Sequence, residues 1–334
     1  MLVIKYRKNA LIYGGIYMDI TVIGCGRWGS CIAWYLDKIG HNVTLYGNDL
    51  KQIRGIMETR TNGVCQFSDR MNITDDINVA VKNKTIVISI PSQAVRGLMQ
   101  ELQQYGASEK EYILCMKGIE ISTGMRLSEV VREATTPETK IAVWIGPGHV
   151  EEFTKGIPNC MVIDSDNSEY QEYLISQFSS DLIRFYYGKD LIGNEIGAAA
   201  KNVIGIAAGL LDGKGLSSLK GALMSRGTRE VARLITALGG NELSAYGLCH
   251  LGDYEATLFS KFSHNRMYGE TFAKGEQYGS LAEGYYTVKA ILKLADMYNV
   301  DLPICNAVYD ILYNGADPDT ALKALFTRSL KGEF

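Results

Sequence analysis

The feature that most restricts the fold of this chain is a change of hydrophobic rhythm close to residue 189. From residue 19 to about 188, short β-branched runs alternate with amphipathic stretches. The runs are ITVIG, NVTLYG, MNIT, TIVISI, YILCMKG, IAVWIG, CMVID and IRFYY, with helical spacing at 29–39 and 93–105 between them. Alternation of this kind builds βαβ units on a largely parallel sheet. Beyond 189 only three- and four-residue spacing remains, in VIGIAAGLL, ALMSRGTREVARLITAL, YYTVKAILKLADMY and NAVYDILYN, which specifies helices. At 334 residues the chain exceeds what one core usually serves. The expectation is an α/β domain over 18–189, with a mostly parallel sheet, followed by an all-α domain over 190–334. Pro91 and Ser92 read as a strand-to-helix turn with Ser92 as the cap.

Gly24, Gly26 and Gly29 make a G-x-G-x-x-G pattern directly after the first β run and at the opening of a helix. The first glycine permits the tight turn, the second lets backbone approach a diphosphate, and the third lets helix pack closely on strand. In this setting the pattern predicts a Rossmann-type domain holding a dinucleotide at a helix N-terminus, where free N–H groups favour negative charge. An acid at the end of the second strand would grip the NAD ribose and an arginine would favour NADP. The chain has Gly47, Asn48 and Asp49 there, so either NAD or NADP is admitted. Arg27 and Lys51 are candidate partners for a 2′-phosphate and equally read as solvated charges.

A second signal lies at 193–202, GNEIGAAAKN, where Lys201 sits among small and apolar residues of helical composition. Desolvation favours the neutral amine, so such a lysine can exchange protons near neutral pH. The boundary between the two rhythms places it at an interdomain cleft, a common location for ligands. Composition removes other classes. Thirty-four basic against 37 acidic residues leave a net charge of -3 with no basic block, which argues against nucleic acid. Seven scattered cysteines form no metal-ligand spacing, so no metal site is proposed, and they suit a reducing, cytoplasmic setting. No run approaches the roughly 20 apolar residues of a bilayer span, so no stable membrane insertion is expected. Residues 1–17 carry Lys5, Arg7 and Lys8 before an apolar patch broken by Gly14 and Gly15. They are read as a leader of uncertain reality and not as a signal peptide, with Met18 a possible start.

An ordered series of motifs narrows the function: MKGIE at 116–120, IGPGHVEEF at 145–153, EIGAAAKNVIGIAAGLLDG at 195–213, LGDYEAT at 251–257, SHNRMYG at 263–269 and AEGYYT at 282–287. From Met18 nearly to its end the chain resembles the NAD(P)-dependent glycerol-3-phosphate dehydrogenases. The resemblance implies interconversion of dihydroxyacetone phosphate and sn-glycerol 3-phosphate for glycerophospholipid synthesis. It implies Lys201 as proton acceptor, with Lys117 and Asp253 completing the catalytic set. It further implies that Lys117, Gly146, Asn202, Asp253, Ser263, His264 and Asn265 meet the substrate. Gly24, Gly26, Arg27, Trp28, Gly29, Asn48, Lys117, Val150, His264 and Glu283 would meet the cofactor. The partner is then a small phosphorylated molecule, and family habit implies a homodimer.

Taken singly, these residues have plainer readings: Lys201 as a snorkelling surface lysine, Asp253 as a turn residue, Asn202 as a local cap, Glu283 as an acid in a first helical turn, and 146–148 as a turn. Two departures from the family bear on substrate. His264 stands where members usually have arginine in S-R-N-R, and Gly148 where they have serine in G-P-S. Arginine forks onto phosphate and is always charged, whereas histidine is mostly neutral at pH 7. These departures motivate a rival reading, a 2-hydroxyacid or polyol-phosphate dehydrogenase with another head group. A third is a non-catalytic dinucleotide sensor, against which the joint presence of Lys117, Lys201 and Asp253 argues. His41 reads as a surface residue, His149 and His250 match no proton-transfer role, and the 20 tyrosines read as dispersed.

Overall fold

A computed structural model describes residues 17–327, 329 and 332, apart from the side chain of Phe326; the expectations for residues 1–16 lie outside the described residues. Eight strands form one sheet: β1 (Asp19–Ile23), β2 (Asn42–Tyr46), β3 (Asn72–Thr74), β4 (Thr85–Ile88), β5 (Glu111–Leu114), β6 (Ile141–Ile145), β7 (Asn159–Ser165) and β8 (Ile183–Tyr187). Each falls on one of the eight predicted runs. Their order is β3-β2-β1-β4-β5-β6-β7-β8. Every pairing is parallel except β6 with β7. The chain reverses order between β1 and β4, and in open α/β sheets ligands bind outside the carboxyl ends of strands at such a switch point.

Helices α1 (Arg27–Lys38), α2 (Leu50–Thr59), α3 (Ile77–Ala80), α4 (Val95–Gln104), α5 (Leu127–Glu133), α6 (Val150–Thr154) and α7 (Ser168–Phe178) alternate with the strands. The rest is helical: α8 (Leu191–Gly213), α9 (Lys220–Ala237), α10 (His264–Ala273), α11 (Glu283–Met297), α12 (Pro303–Tyr313) and α13 (Pro318–Phe326). The expected architecture, a Rossmann-type sheet domain followed by helices, is the one observed.

Helix α8 is the spine of the second half. It is long and apolar enough to cross a membrane, yet nearly all of its apolar window is buried inside the protein. The expectation that no run reaches spanning length therefore needs correction: alanines and glycines extend the apolar stretch, and here they serve packing. A Cβ added at Gly209 would lie 2.0 Å from the Arg266 carbonyl oxygen, and one at Gly269 would lie 2.2 Å from that of Ile206. Backbone of α8 thus meets backbone of α10, a separation only glycine permits.

Three further expectations change. His41 is buried, accepting from the Met18 N–H at 3.3 Å and set edge-on to Phe178; the C-terminal end of α7 covers it. Ser92 does not cap α4; its Oγ donates to Glu283 at 2.7 Å. Five of the 20 tyrosines gather in space: Tyr268 contacts Tyr278 and Tyr285, and Tyr285 contacts Tyr286 and Tyr313. Residues far apart in sequence meet because α10, α11 and α12 pack in one bundle.

Candidate active site

At Gly24 the backbone has φ +116°, a conformation that favours glycine, and an added Cβ would meet the Ser89 carbonyl oxygen at 2.1 Å. At Gly29 a Cβ would lie 2.0 Å from the Gly24 carbonyl oxygen. Both glycines are therefore required by close packing at the end of β1. Gly26 differs: nothing lies within 4 Å of where its side chain would be. That open space faces a cleft of about 450 Å³, lined by Gly26, Trp28, Lys117, Lys201, His264 and Glu283 among others.

The floor of the cleft is a charge cluster. The Lys117 and Lys201 ammonium nitrogens both lie 2.7 Å from the same oxygen, Oδ2 of Asp253. Lys117 also donates to the Gly146 carbonyl at 2.6 Å. Lys201 donates to Thr257 Oγ1 at 2.7 Å. Helix α8 supplies Lys201, the loop after β5 supplies Lys117, and two short successive helical segments after α9, Leu251–Asp253 and Glu255–Phe259, carry Asp253 and Thr257. Burial is the largest influence on Lys201 and pushes its pKa down; Asp253 opposes this and the Lys117 charge adds to it, leaving it at about 8. His250, beneath the cluster, bonds to the Gly197 carbonyl and to Tyr254, and burial lowers it to about 4, so it is neutral.

A polar chain crosses from α8 to its neighbours. Asn202 donates to the Lys117 carbonyl at 3.1 Å, Asn265 donates to Asn202 Oδ1 at 3.0 Å, and the Gly284 N–H donates to Asn265 Oδ1 at 2.8 Å. Ser263 caps α10 by accepting from the Arg266 N–H. Glu283, at the start of α11, accepts from the Ser92 N–H and hydroxyl, and burial raises its pKa.

A larger cavity of about 720 Å³ opens among α9, α12 and α13. Its buried carboxylate, Glu230, accepts from the Ile304 and Cys305 N–H groups at the start of α12. No lysine–carboxylate cluster stands among the described residues that line it.

Against this geometry, two family models match the chain: the NAD-dependent glycerol-3-phosphate dehydrogenase N-terminus over residues 19–171 and its C-terminus over 190–323. A glycerol-3-phosphate dehydrogenase, NAD(P)+, of Thermoanaerobacter sp. is 36% identical over 95% of this chain and 99% of its own length. That of Fusobacterium nucleatum is 34% identical over 95% and 98%. The crystal structure of glycerol-3-phosphate dehydrogenase from Coxiella burnetii superposes with a TM-score of 0.89 at 26% identity, covering 93% of this chain and 99% of that one.

This chain belongs to the NAD-dependent glycerol-3-phosphate dehydrogenase family.

Membership in the glycerol-3-phosphate dehydrogenase family implies NAD or NADP as cofactor, and the residues present fit a dinucleotide. Gly26 leaves room for a diphosphate, and α1 begins at Arg27, so its first N–H groups lack intrahelical acceptors. Trp28 Nε1 and His149 Nε2, on residues lining the cleft, are buried and have no hydrogen-bond partner among the described residues. Other expected cofactor residues sit farther out. Arg27 is paired with Glu151 of α6. Asn48 is exposed beyond β2, and Asp49 is engaged in capping α2 through the Lys51 and Gln52 N–H groups. The Val150 side chain is packed in the core, leaving its backbone for a ligand.

The two departures from the glycerol-3-phosphate dehydrogenase pattern have distinct physical settings. Gly148 has φ +143°, and a Cβ there would lie 2.4 Å from the Phe153 ring; this loop takes a shape in which serine would be strained. His264 lines the cleft, with its Nδ1 2.5 Å from the Tyr278 hydroxyl. Thr257, Ser92 and Tyr278 escaped sequence reasoning. For Thr257 a signal existed, since it stands four residues after Asp253, one helical turn on.

Proposed function

We propose that this chain interconverts dihydroxyacetone phosphate and sn-glycerol 3-phosphate with NAD(P)H, supplying glycerol phosphate for glycerophospholipid synthesis. The observation that carries the reading is the pair of ammonium groups on one Asp253 oxygen at the floor of the cleft. The bound nicotinamide supplies or accepts the hydride. Reduction of a ketone puts negative charge on its oxygen. Lys201 as ammonium donates a proton to that oxygen, and Lys117 stabilises the charge as it develops. In oxidation Lys201 must be neutral to take the hydroxyl proton, which the lowering of its pKa to about 8 allows. Asp253 holds both nitrogens in place, and Asn202, bonded to the Lys117 carbonyl, fixes the Lys117 backbone. Ser263, His264 and Asn265, at the N-terminus of α10, receive the phosphate end, where free N–H groups and the helix dipole favour an anion.

Steady-state oxidation of NADH and NADPH with dihydroxyacetone phosphate, and in parallel with dihydroxyacetone, tests this directly. Strong preference for the phosphorylated ketone is expected. Lys201→Ala should lower turnover by on the order of 10²–10⁴-fold while dinucleotide affinity stays near that of the native enzyme; retained turnover would remove Lys201 from its role. His264 and Gly148 favour a second reading, a dehydrogenase of the same plan acting on another head group. D-mandelate dehydrogenase, with a TM-score of 0.63 at 14% identity, shows only that the fold is shared. Turnover of an unphosphorylated oxo-acid with no response to dihydroxyacetone phosphate would select that reading.

A further inference from the structure

His264 is where this chain departs from an always-charged side chain, and the structure supplies a partner for it. Its Nδ1 lies 2.5 Å from the Tyr278 hydroxyl. Tyr278 is held in turn: its ring is edge-on to Tyr268, which packs on Tyr285. The charged groups that face His264 are Arg27 on α1 and Glu151 on α6, already paired with each other. Burial and the Arg27 charge hold the imidazole below its ordinary pKa, against a smaller opposing influence of Glu151.

A neutral imidazole has one N–H and one bare nitrogen, and the hydrogen bond at one nitrogen decides the state of the other. A phenol hydroxyl near Nδ1 donates to it readily, which leaves the proton on Nε2. We propose that Tyr278 is a positioning residue: by donating to His264 Nδ1 it fixes the Nε2–H tautomer, so that His264 offers an uncharged N–H donor to a phosphate oxygen in the cleft. The phosphate belongs to the substrate monoester or to the dinucleotide. The inference rests on the function proposed above for the former source only. It replaces the fork of a guanidinium with a single donor whose direction is set by a tyrosine.

The test begins without substrate. Nitrogen-15 NMR of the full chain at pH 7.5, with the His264 signal assigned by its loss in His264→Gln, should show Nδ1 bare and Nε2 protonated. In Tyr278→Phe both nitrogens should show averaged signals from mixed tautomers. Tyr278→Phe should then raise KM for dihydroxyacetone phosphate roughly fivefold, about what one neutral hydrogen bond is worth, with kcat within about twofold of native. In a His264→Arg background, where no tautomer exists to be fixed, Tyr278→Phe should add nothing to KM. A rise in KM for NADH or NADPH in place of that for the ketone would assign the phosphate to the dinucleotide. A native Nδ1–H tautomer would overturn the proposal, and so would unchanged KM values for every substrate in Tyr278→Phe. If the native chain reduces no dihydroxyacetone phosphate, the function above fails. The tautomer and the dinucleotide affinity of Tyr278→Phe then still decide the part played by Tyr278.

Discussion

Two cations on one carboxylate oxygen leave Lys201 in a balance that single substitutions should tip in known directions. With a pKa near 8, Lys201 is mostly ammonium at neutral pH and mostly amine above 9. Reduction, which needs the ammonium, should therefore fall as pH rises through 8, while oxidation should rise over the same interval. Asp253 raises the Lys201 pKa, so Asp253→Asn should move both transitions to lower pH; kcat measured in each direction from pH 6 to 10 reads the shift. A transition that stays in place would mean that another group titrates. At this scale Lys201 was legible because an isolated charge among alanines is conspicuous. Lys117, Asp253, Asn202 and Asn265 became legible only as a series of motifs, since each alone reads as a turn or surface residue. Thr257 and Tyr278 were not legible, because a hydroxyl carries no pattern until its partner's position is known.

Secondary structure followed the hydrophobic rhythm closely, since each strand of a covered parallel sheet is apolar on both faces and stands out as a run. What rhythm does not encode is which element covers which. His41 opens a strand with a polar residue and so reads as exposed, yet α7 buries it; the tyrosines, spaced along three helices, meet only after packing. Glu230 on α9 shows the same limit: a polar residue inside a helix that proves to cap another. Burial raises its pKa to about 7 from an ordinary 4.5. Between pH 4.5 and 7 the folded state therefore binds more protons than the unfolded one, and its contribution to stability declines as pH rises across that window. Glu230→Gln keeps an acceptor for the α12 N–H groups without the charge. Its melting temperature relative to native should increase from pH 5 to pH 8. A constant difference would show that Glu230 does not titrate there.

Across the whole molecule, the sheet and the helical bundle are joined by buried polar contacts as well as by apolar packing. Glu195 of α8 accepts from Arg126 at 2.9 Å and from the Ser128 N–H and hydroxyl at the start of α5. Glu195→Ala would leave the partly buried guanidinium with Glu129 as its remaining carboxylate partner among the described residues, and should cost about 3 kcal/mol, toward the lower end for breaking a buried pair, measurable by denaturant unfolding. A loss below about 0.5 kcal/mol, the range of ordinary surface changes, would show that the junction does not depend on this contact. The two-part architecture was legible from the break in rhythm. The depth at which α8 lies was not, because an all-round apolar helix reads alike whether protein or lipid surrounds it.

At Gly209 and Gly269, where α8 and α10 touch glycine against carbonyl, there is no room for a side chain to slide or repack. Lys201 on α8 and Ser263, His264 and Asn265 at the start of α10 thus ride on a single stiff plate, and the spacing between them is decided when the chain folds. In the function proposed above, that plate is a fixed ruler for the length of the substrate.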